Sequence, residues 1–311
     1  MKILIIGAGA MGSLFAGRLK AQTPEVFQYN RNNPHVDQIN QSGLTIIERD
    51  NTKTIVPLKV IQQVSDTSYD VVLVMLKTHA THKVLMQLKD SFSPQTLFVT
   101  MQNGLGNLET IADVFPNNSI VAGTLGCGAS VEAAGQILHR GFGTNFIGQS
   151  TDKVTQEKLI KFVELLNQSG LETEVAEDVQ TIIWNKLFVN VAYNSLTALT
   201  RLRNGDILNT KDGQSLLRNI VTEAIAIAKA EGVIVDSEKM IATCTQMGQE
   251  QFPTNKSSML MDVLHKRKTE IDTINGAVAK LGEKHNIPTP YNDLITGIIK
   301  VIEANYDMQV E

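Results

Sequence analysis

Lys186, Asn190 and Asn194 recur at intervals of four residues. Their neighbours Ile182, Ile183, Leu187, Phe188, Val191, Leu196 and Leu199 are apolar. On a helix this spacing makes one polar stripe about 12 Å long. A solvated helix face would carry several mobile charges, whereas here two carboxamides follow one ammonium. Asparagine is a poor helix former, so two of them one turn apart read as a fixed hydrogen-bonding task. An ammonium beside a carbonyl stabilises charge developing on its oxygen and can then give up a proton. Neutral amides can hydrogen-bond a carboxylate or a hydroxyl.

A second constellation lies at the N-terminus. Gly7-Ala8-Gly9-Ala10-Met11-Gly12 follows the apolar run Ile3–Ile6 and opens a helix. It fits G-x-G-x-x-G in the strand-turn-helix context that makes the motif informative. Gly7 permits the tight turn, Gly9 lets a pyrophosphate approach the backbone, and Gly12 lets the helix pack on the sheet. The glycines also argue against reading this segment as a secretory signal. The next strand, Glu25–Asn30, ends in Asn30 and Arg31, where NAD enzymes place an acid on the ribose 2′-hydroxyl. An arginine there can bind a 2′-phosphate bidentately, so the expected cofactor is NADPH/NADP+.

Two loops follow expected parallel strands and face the same crevice: Lys77-Thr78-His79 and Gln102-Asn103-Gly104-Leu105-Gly106. The helix expected over about 257–284 adds Ser257, Ser258 and Glu270, with Asn255 just ahead of it. Ser258 either caps that helix or holds a carboxylate. Glu270, among Lys266, Arg267, Lys268 and Asp272, reads by itself as an exposed charge. His79 and His82 have no third ligand nearby and no H-E-x-x-H occurs, so no metal is expected.

These residues need two supports. Strand and helix signals alternate through the first half, with an antiparallel excursion around Asp50-Asn51 and glycine-punctuated strands from 129 to 148. Periodic helical stretches then cover about 178–199, 213–231, 236–250, 257–284 and 291–304. The expected fold is α/β: a Rossmann-type dinucleotide-binding domain over 1–176 and an all-helical substrate domain over 177–311, with the substrate site in the cleft between them. The length of 311 residues suits two domains. With 28 basic and 32 acidic residues, no nucleic acid or anionic membrane partner is expected. Two cysteines make no disulfide framework or four-cysteine zinc site and point to a reduced, cytoplasmic protein. The apolar helices of the second half could support a homodimer.

The order of these features resembles the ketopantoate reductases (2-dehydropantoate 2-reductases) nearly end to end. The resemblance rests on Gly7–Gly12, Lys77, Asn103-Gly104, the block 184–190, Asn194 with Leu196-Thr197-Ala198, Ser257-Ser258-Met259, Thr269–Asp272 with Asn275-Gly276, and Ile287-Pro288-Thr289-Pro290. It implies NADPH-dependent reduction of a small-molecule 2-keto acid. Lys186 is then the general acid. Asn103, Asn190, Asn194 and Ser258 hold the substrate, with Asn255 assisting, and Glu270 engages substrate or lysine. Arg31 and Lys77 then contact the adenosine 2′-phosphate region. Two other readings stand beside it: a D-2-hydroxyacid dehydrogenase of the same family, and a non-catalytic NADP-binding sensor.

Overall fold

Residues Ile3–Ile6 are all fully buried, with side chains alternating between two apolar clusters. Ile3 and Ile5 join one cluster, Leu4 and Ile6 the other, as the two-residue period of a strand requires. Val71–Val74 divides in the same way. A sheet apolar on both faces is the signature of parallel strands covered by helices. The computed structural model describes residues 1–150 and 152–309 and has this architecture.

The strands, in chain order, are β1 (Ile3–Ile6), β2 (Val26–Tyr29), β3 (Leu44–Ile47), β4 (Lys53–Val56), β5 (Val60–Ile61) and β6 (Val71–Val74). They continue with β7 (Leu97–Thr100), β8 (Ile120–Thr124), β9 (Gly128–Ala133), β10 (Gln136–Gly141), β11 (Asn145–Gly148) and β12 (Thr173–Ala176). Helices α1 (Ala10–Lys20), α2 (Pro34–Ser42), α3 (Thr78–Gln87), α4 (Asn107–Val114) and α5 (Lys153–Gln168) accompany them. The main sheet has the order β12-β11-β8-β7-β6-β1-β2-β5. Its pairings are parallel except β11 with β8. From β1 the chain proceeds outward to β2 and β5, then returns to β6 on the other side. That reversal creates a crevice at the carboxyl ends of β1 and β6, where Rossmann-type folds bind ligands.

A four-stranded sheet, β4-β3-β10-β9, contains the expected antiparallel excursion: β3 pairs with β4 around Asp50-Asn51. Residues 53–61 divide into β4 and β5. Pro57 has no amide proton to continue a ladder, and β5 pairs instead with β2. Arg18 on α1 donates to Glu48 at 2.5 Å, and buried His139 lies 3.1 Å from the same carboxylate. These contacts hold α1, which carries the glycine turn, against the smaller sheet.

The chain forms two compact units. One contains Met1–Gln102 and Asn107–Val179; the other contains Asn103–Gly106 and the chain from Gln180 onward. Helices α6 (Val179–Thr200), α7 (Asn204–Ile207), α8 (Lys211–Ala230), α9 (Ser237–Gln246), α10 (Ser258–Leu264), α11 (Asn275–His285) and α12 (Pro290–Ala304) build the second unit. Every residue of α6 from Val191 to Ala198 is buried, as expected of a helix at the centre of a bundle. The helix expected over 236–250 ends at Gln246 and passes into a π turn, Met247–Gln251.

The continuous helix expected over 257–284 is broken into α10 and α11. After Leu264 come His265-Lys266-Arg267-Lys268, polar residues with no apolar side chain to bury. Lys266 adopts a left-handed φ of 53°, and the amide of Arg267 turns back to the Asp262 carbonyl at 2.8 Å. Glu270 therefore lies in a non-helical turn before a 3₁₀ segment, Ile271–Thr273.

His35, near the start of α2, joins three segments of the first unit. Its Nδ1 accepts from the Gly135 amide at 3.0 Å, and its Nε2 lies 3.3 Å from Ser13 Oγ. The accepting Nδ1 places the proton on Nε2 and the ring is neutral. Burial holds its pKa below the usual histidine value, opposed only in part by the Ala133 backbone. The unfolded chain therefore binds this proton more readily. The stability contribution is complete above about pH 6.5 and is lost as pH falls through the lowered folded-state value. Thermal melts should show wild type losing more stability from pH 7 to pH 5 than His35→Gln, whose amide can make both contacts without charging.

Candidate functional site

The nucleotide end of the first unit starts from backbone geometry. Gly7 has φ +118°, and a Cβ there would lie 2.6 Å from the Met75 carbonyl oxygen on the chain leaving β6. Only glycine tolerates both the conformation and the approach. A Cβ on Gly12 would meet the Gly7 carbonyl at 2.1 Å, whereas one on Gly9 would meet no protein atom within 4 Å. The space over Gly9 is the approach that a pyrophosphate needs. Gly9 is the N-cap of α1 and supplies no side-chain cap. The amides of Ala10, Met11 and Gly12 thus lie in a first turn without intrahelical acceptors, at the positive end of the helix dipole. These residues fit a dinucleotide.

Asn30 ties this turn to the end of β2. Its Oδ1 accepts from the Ala8 amide at 3.2 Å, and its Nδ2 donates to the Arg31 carbonyl at 2.7 Å. The Arg31 side chain is exposed beside it. Lys77, also exposed, is the N-cap residue of α3. Gln102 secures its loop, a role the sequence did not reveal. Its Nε2 donates to the Leu76 carbonyl at 2.7 Å and to Thr81 Oγ1 at 2.8 Å, while its Oε1 accepts from Thr100 at 2.9 Å. The available signal was a polar side chain at the end of an otherwise apolar strand.

In the second unit, α6 presents the expected stripe. Lys186 and Asn190 are half-buried, and Asn194 is 6% exposed. The Nδ2 groups of Asn190 and Asn194 are both buried without an acceptor among the described residues. A buried unsatisfied donor costs about 1–3 kcal/mol, and such groups in native proteins call for an explanation. Other buried polar atoms lack partners in this unit, including Asn204 Oδ1, Asn275 Oδ1 and Thr296 Oγ1. Asn190 and Asn194 differ in standing on successive turns, in line with Lys186.

Ser257 joins α10 to this stripe. Its Oγ accepts from the Leu260 amide at 3.0 Å, capping α10. It lies 2.7 Å from Thr197 Oγ1 and 3.5 Å from the Asn194 carbonyl. The cap is thus Ser257, not Ser258. Ser258 is the first helical residue, and its exposed side chain is not needed for capping. Asn255, also exposed, accepts from the Asn204 amide through its carbonyl at 3.0 Å.

Glu270 is 7% exposed, so the expectation of a surface charge at this residue does not hold. Its carbonyl accepts from the Thr273 amide at 3.1 Å. The Thr273 carbonyl in turn accepts from the Leu105 amide at 2.9 Å. Gly104, with φ +83°, passes so close that a Cβ would lie 2.2 Å from that carbonyl. Asn103-Gly104 is therefore packed on the turn that carries Glu270, within the second unit. Gly104 and Thr273, 169 positions apart, meet here because a glycine permits the contact.

Among the described residues, no group of three His, Cys, Asp or Glu is placed to hold a metal ion. His82 of α3 is paired with Asp113. Among the described residues, no helix is long and apolar enough to cross a membrane.

Comparison with known proteins matches both units. Family models described as ketopantoate reductase PanE/ApbA and its C-terminal domain match residues 3–152 and 178–303. A 2-dehydropantoate 2-reductase of Pyrococcus abyssi is 32% identical over 98% of each chain. A solved D-mandelate dehydrogenase with NADH and anilino(oxo)acetate superposes at TM-score 0.91, with 26% identity over 99% of this chain and 100% of the other. A PanE/ApbA family ketopantoate reductase from Ralstonia eutropha gives TM-score 0.90, 25% identity and the same coverage.

The unsatisfied amides lead to a test in the free protein. Asn194→Leu removes a buried donor while keeping the branched heavy-atom skeleton, so it should leave the melting temperature unchanged or raise it, by up to about 1–3 kcal/mol of stability. Ser257→Ala should lower it, by about 1 kcal/mol for the lost cap. Calorimetry of the two variants measures both effects. A clear loss of stability in Asn194→Leu would mean that its amide has a structural partner.

Proposed function

The chain belongs to the ketopantoate reductase family of nicotinamide-dependent oxidoreductases, and we propose that it reduces 2-dehydropantoate to (R)-pantoate with NADPH. The product would supply pantothenate and coenzyme A synthesis, in a cytoplasm where Cys127 and Cys244, neither in a disulfide, stay reduced. The observation that carries this reading is the pair of buried amide donors on Asn190 and Asn194 in line with Lys186. A 2-keto acid with a hydroxyl group offers carboxylate, ketone and hydroxyl oxygens as acceptors for them.

The residues divide the work. Gly7–Gly12, with the first-turn amides of α1, take the pyrophosphate, while Arg31 and Lys77 take the 2′-phosphate region. Asn103, Asn190, Asn194 and Ser258 orient the keto acid, with Asn255 assisting. When bound, the nicotinamide supplies the hydride to C2. Lys186 stabilises the charge that develops on the C2 oxygen and then delivers the proton that completes the alcohol. Glu270, held in its turn by the Asn103–Gly106 contact, engages substrate or the lysine.

A second reading, favoured by the likeness to D-mandelate dehydrogenase, is a D-2-hydroxyacid dehydrogenase of the same family acting on another 2-keto acid. Oxidation of NADPH and NADH against a panel of 2-keto acids separates the two. With 2-dehydropantoate, Lys186→Ala should lower kcat by about 10²–10⁴-fold, the usual worth of a positioned acid. Arg31→Ala should raise KM for NADPH by roughly 10–100-fold and barely change that for NADH, since one charge-assisted contact contributes about 1.5–3 kcal/mol. An inert 2-dehydropantoate beside rapid turnover of an aryl 2-keto acid would transfer the assignment to the second reading.

A further inference from the structure

Tyr193 precedes Asn194 on α6 and is buried in the core of the second unit. Its hydroxyl donates to the Cys244 carbonyl at 2.8 Å and accepts from the Gly248 amide. Burial raises its pKa well above the ordinary phenol value, so it stays a donor. In a continuous α-helix the Gly248 amide would bond directly to the Cys244 carbonyl, four residues back. The hydroxyl is thus inserted into one rung of the helical ladder. An inserted side chain disrupts a helix, and here α9 gives way to the π turn Met247–Gln251. The Phe252 amide reaches back five residues, to the Met247 carbonyl at 3.0 Å. Gly248 makes the room, since a Cβ there would lie 2.0 Å from the Tyr193 hydroxyl oxygen.

The π turn adds one residue to the path from α9 to α10. The chain beyond it is tied at three more points. The Pro253 and Asn255 carbonyls accept from the Gly205 and Asn204 amides at 2.9 and 3.0 Å. Ser257 Oγ lies 2.7 Å from Thr197 Oγ1, one turn along α6 from Tyr193. The fit is close, because a Cβ on Gly205 would lie 2.9 Å from the Pro253 ring. A helix closed without the hydroxyl would deliver this chain one residue out of step, turned by about 100° and displaced by about 1.5 Å. A productive site tolerates only about 0.5 Å and 10–20°.

We propose that Tyr193 is a positioning residue, whose inserted hydroxyl sets the register at which Asn255 and Ser258 meet the keto acid. This rests on the reading of those two side chains as substrate ligands. Tyr193 acts on the substrate only through the chain from Gly248 to Ser258. Its loss therefore falls on binding of the keto acid, and the proton transfer from Lys186 is left intact.

Tyr193→Phe removes the hydroxyl and keeps the ring. KM for 2-dehydropantoate should rise about 10–100-fold, on the scale of an ångström's misplacement, with kcat and KM for NADPH little changed. Deleting the exposed Gln249 from that variant should restore KM. The Phe252 amide then stands four residues after Met247, and an ordinary α turn delivers the chain in step. The same deletion in wild type should raise KM, since the hydroxyl still holds the rung open. Amide hydrogen exchange in the free protein reports the register without any substrate. Asn204 and Gly205 donate to the displaced chain, so their exchange should quicken about tenfold or more in Tyr193→Phe and slow again with the deletion. A tyrosine that serves stability alone would lower the melting temperature and leave KM and both amides as in wild type. That result overturns the proposal, as does a fall in kcat at unchanged KM or a deletion that rescues neither readout. If Tyr193→Phe does not fold, Gly248→Ala crowds the hydroxyl out of the same rung and should give the same two changes. A wild type inert toward 2-dehydropantoate overturns the substrate assignment instead. KM is then read with the 2-keto acid that turns over, and the exchange measurement stands without one.

Discussion

Two amide donors buried on successive turns of one helix impose a strict condition on the rest of the second unit. Each costs about 1–3 kcal/mol while it lacks an acceptor, and the helix must stay rigid to keep both aimed at one place. Total burial of α6 from Val191 to Ala198 supplies that rigidity. The hydroxyl chain from Ser257 through Thr197 to the Tyr193 carbonyl adds a lateral tie from α10. A site held this way offers hydrogen bonds that are already oriented, so little ordering remains to offset the gain on ligand binding.

The first unit meets a different condition by other means. Its glycine turn offers a surface that is largely backbone, and backbone is exposed to a ligand only where side chains are missing. Glycine at positions 7, 9 and 12 supplies the gap, and the reversal of strand order puts that gap beside the loop after β6. Asn30 and Gln102 then act as tethers, one for the glycine turn and one for the Lys77 loop. Neither carries charge, and the exposed Arg31 and Lys77 follow the ends of β2 and β6. A net charge of −4 leaves room for local cations of this kind, whereas a polyanion would need a broad basic surface.

The break between α10 and α11 serves the site. A continuous helix would have carried Glu270 on a surface, among lysines. The turn at Lys266 instead brings the carboxylate inside, next to the backbone that receives Asn103-Gly104. The left-handed φ at Lys266, unfavourable for a side-chain-bearing residue, is accepted in the same stretch that makes this burial possible.

Patterns local along the chain were legible in the sequence. The two-residue period of buried strands, the four-residue period of Lys186-Asn190-Asn194 and the glycine spacing each depend on geometry within one element. They identified the Rossmann-type and helical parts and the main candidate residues. Contacts set by chain return were not legible. Capping by Ser257 rather than Ser258 depends on where α6 passes. The packing of the turn after Glu270 depends on a contact between Thr273 and Gly104, 169 positions away, and the tethering by Gln102 on a neighbouring strand's loop. Sequence periodicity records which face of an element is apolar, because that is a property of one element in water. Which buried polar group finds a partner is decided only when two elements meet, and that meeting belongs to the tertiary structure.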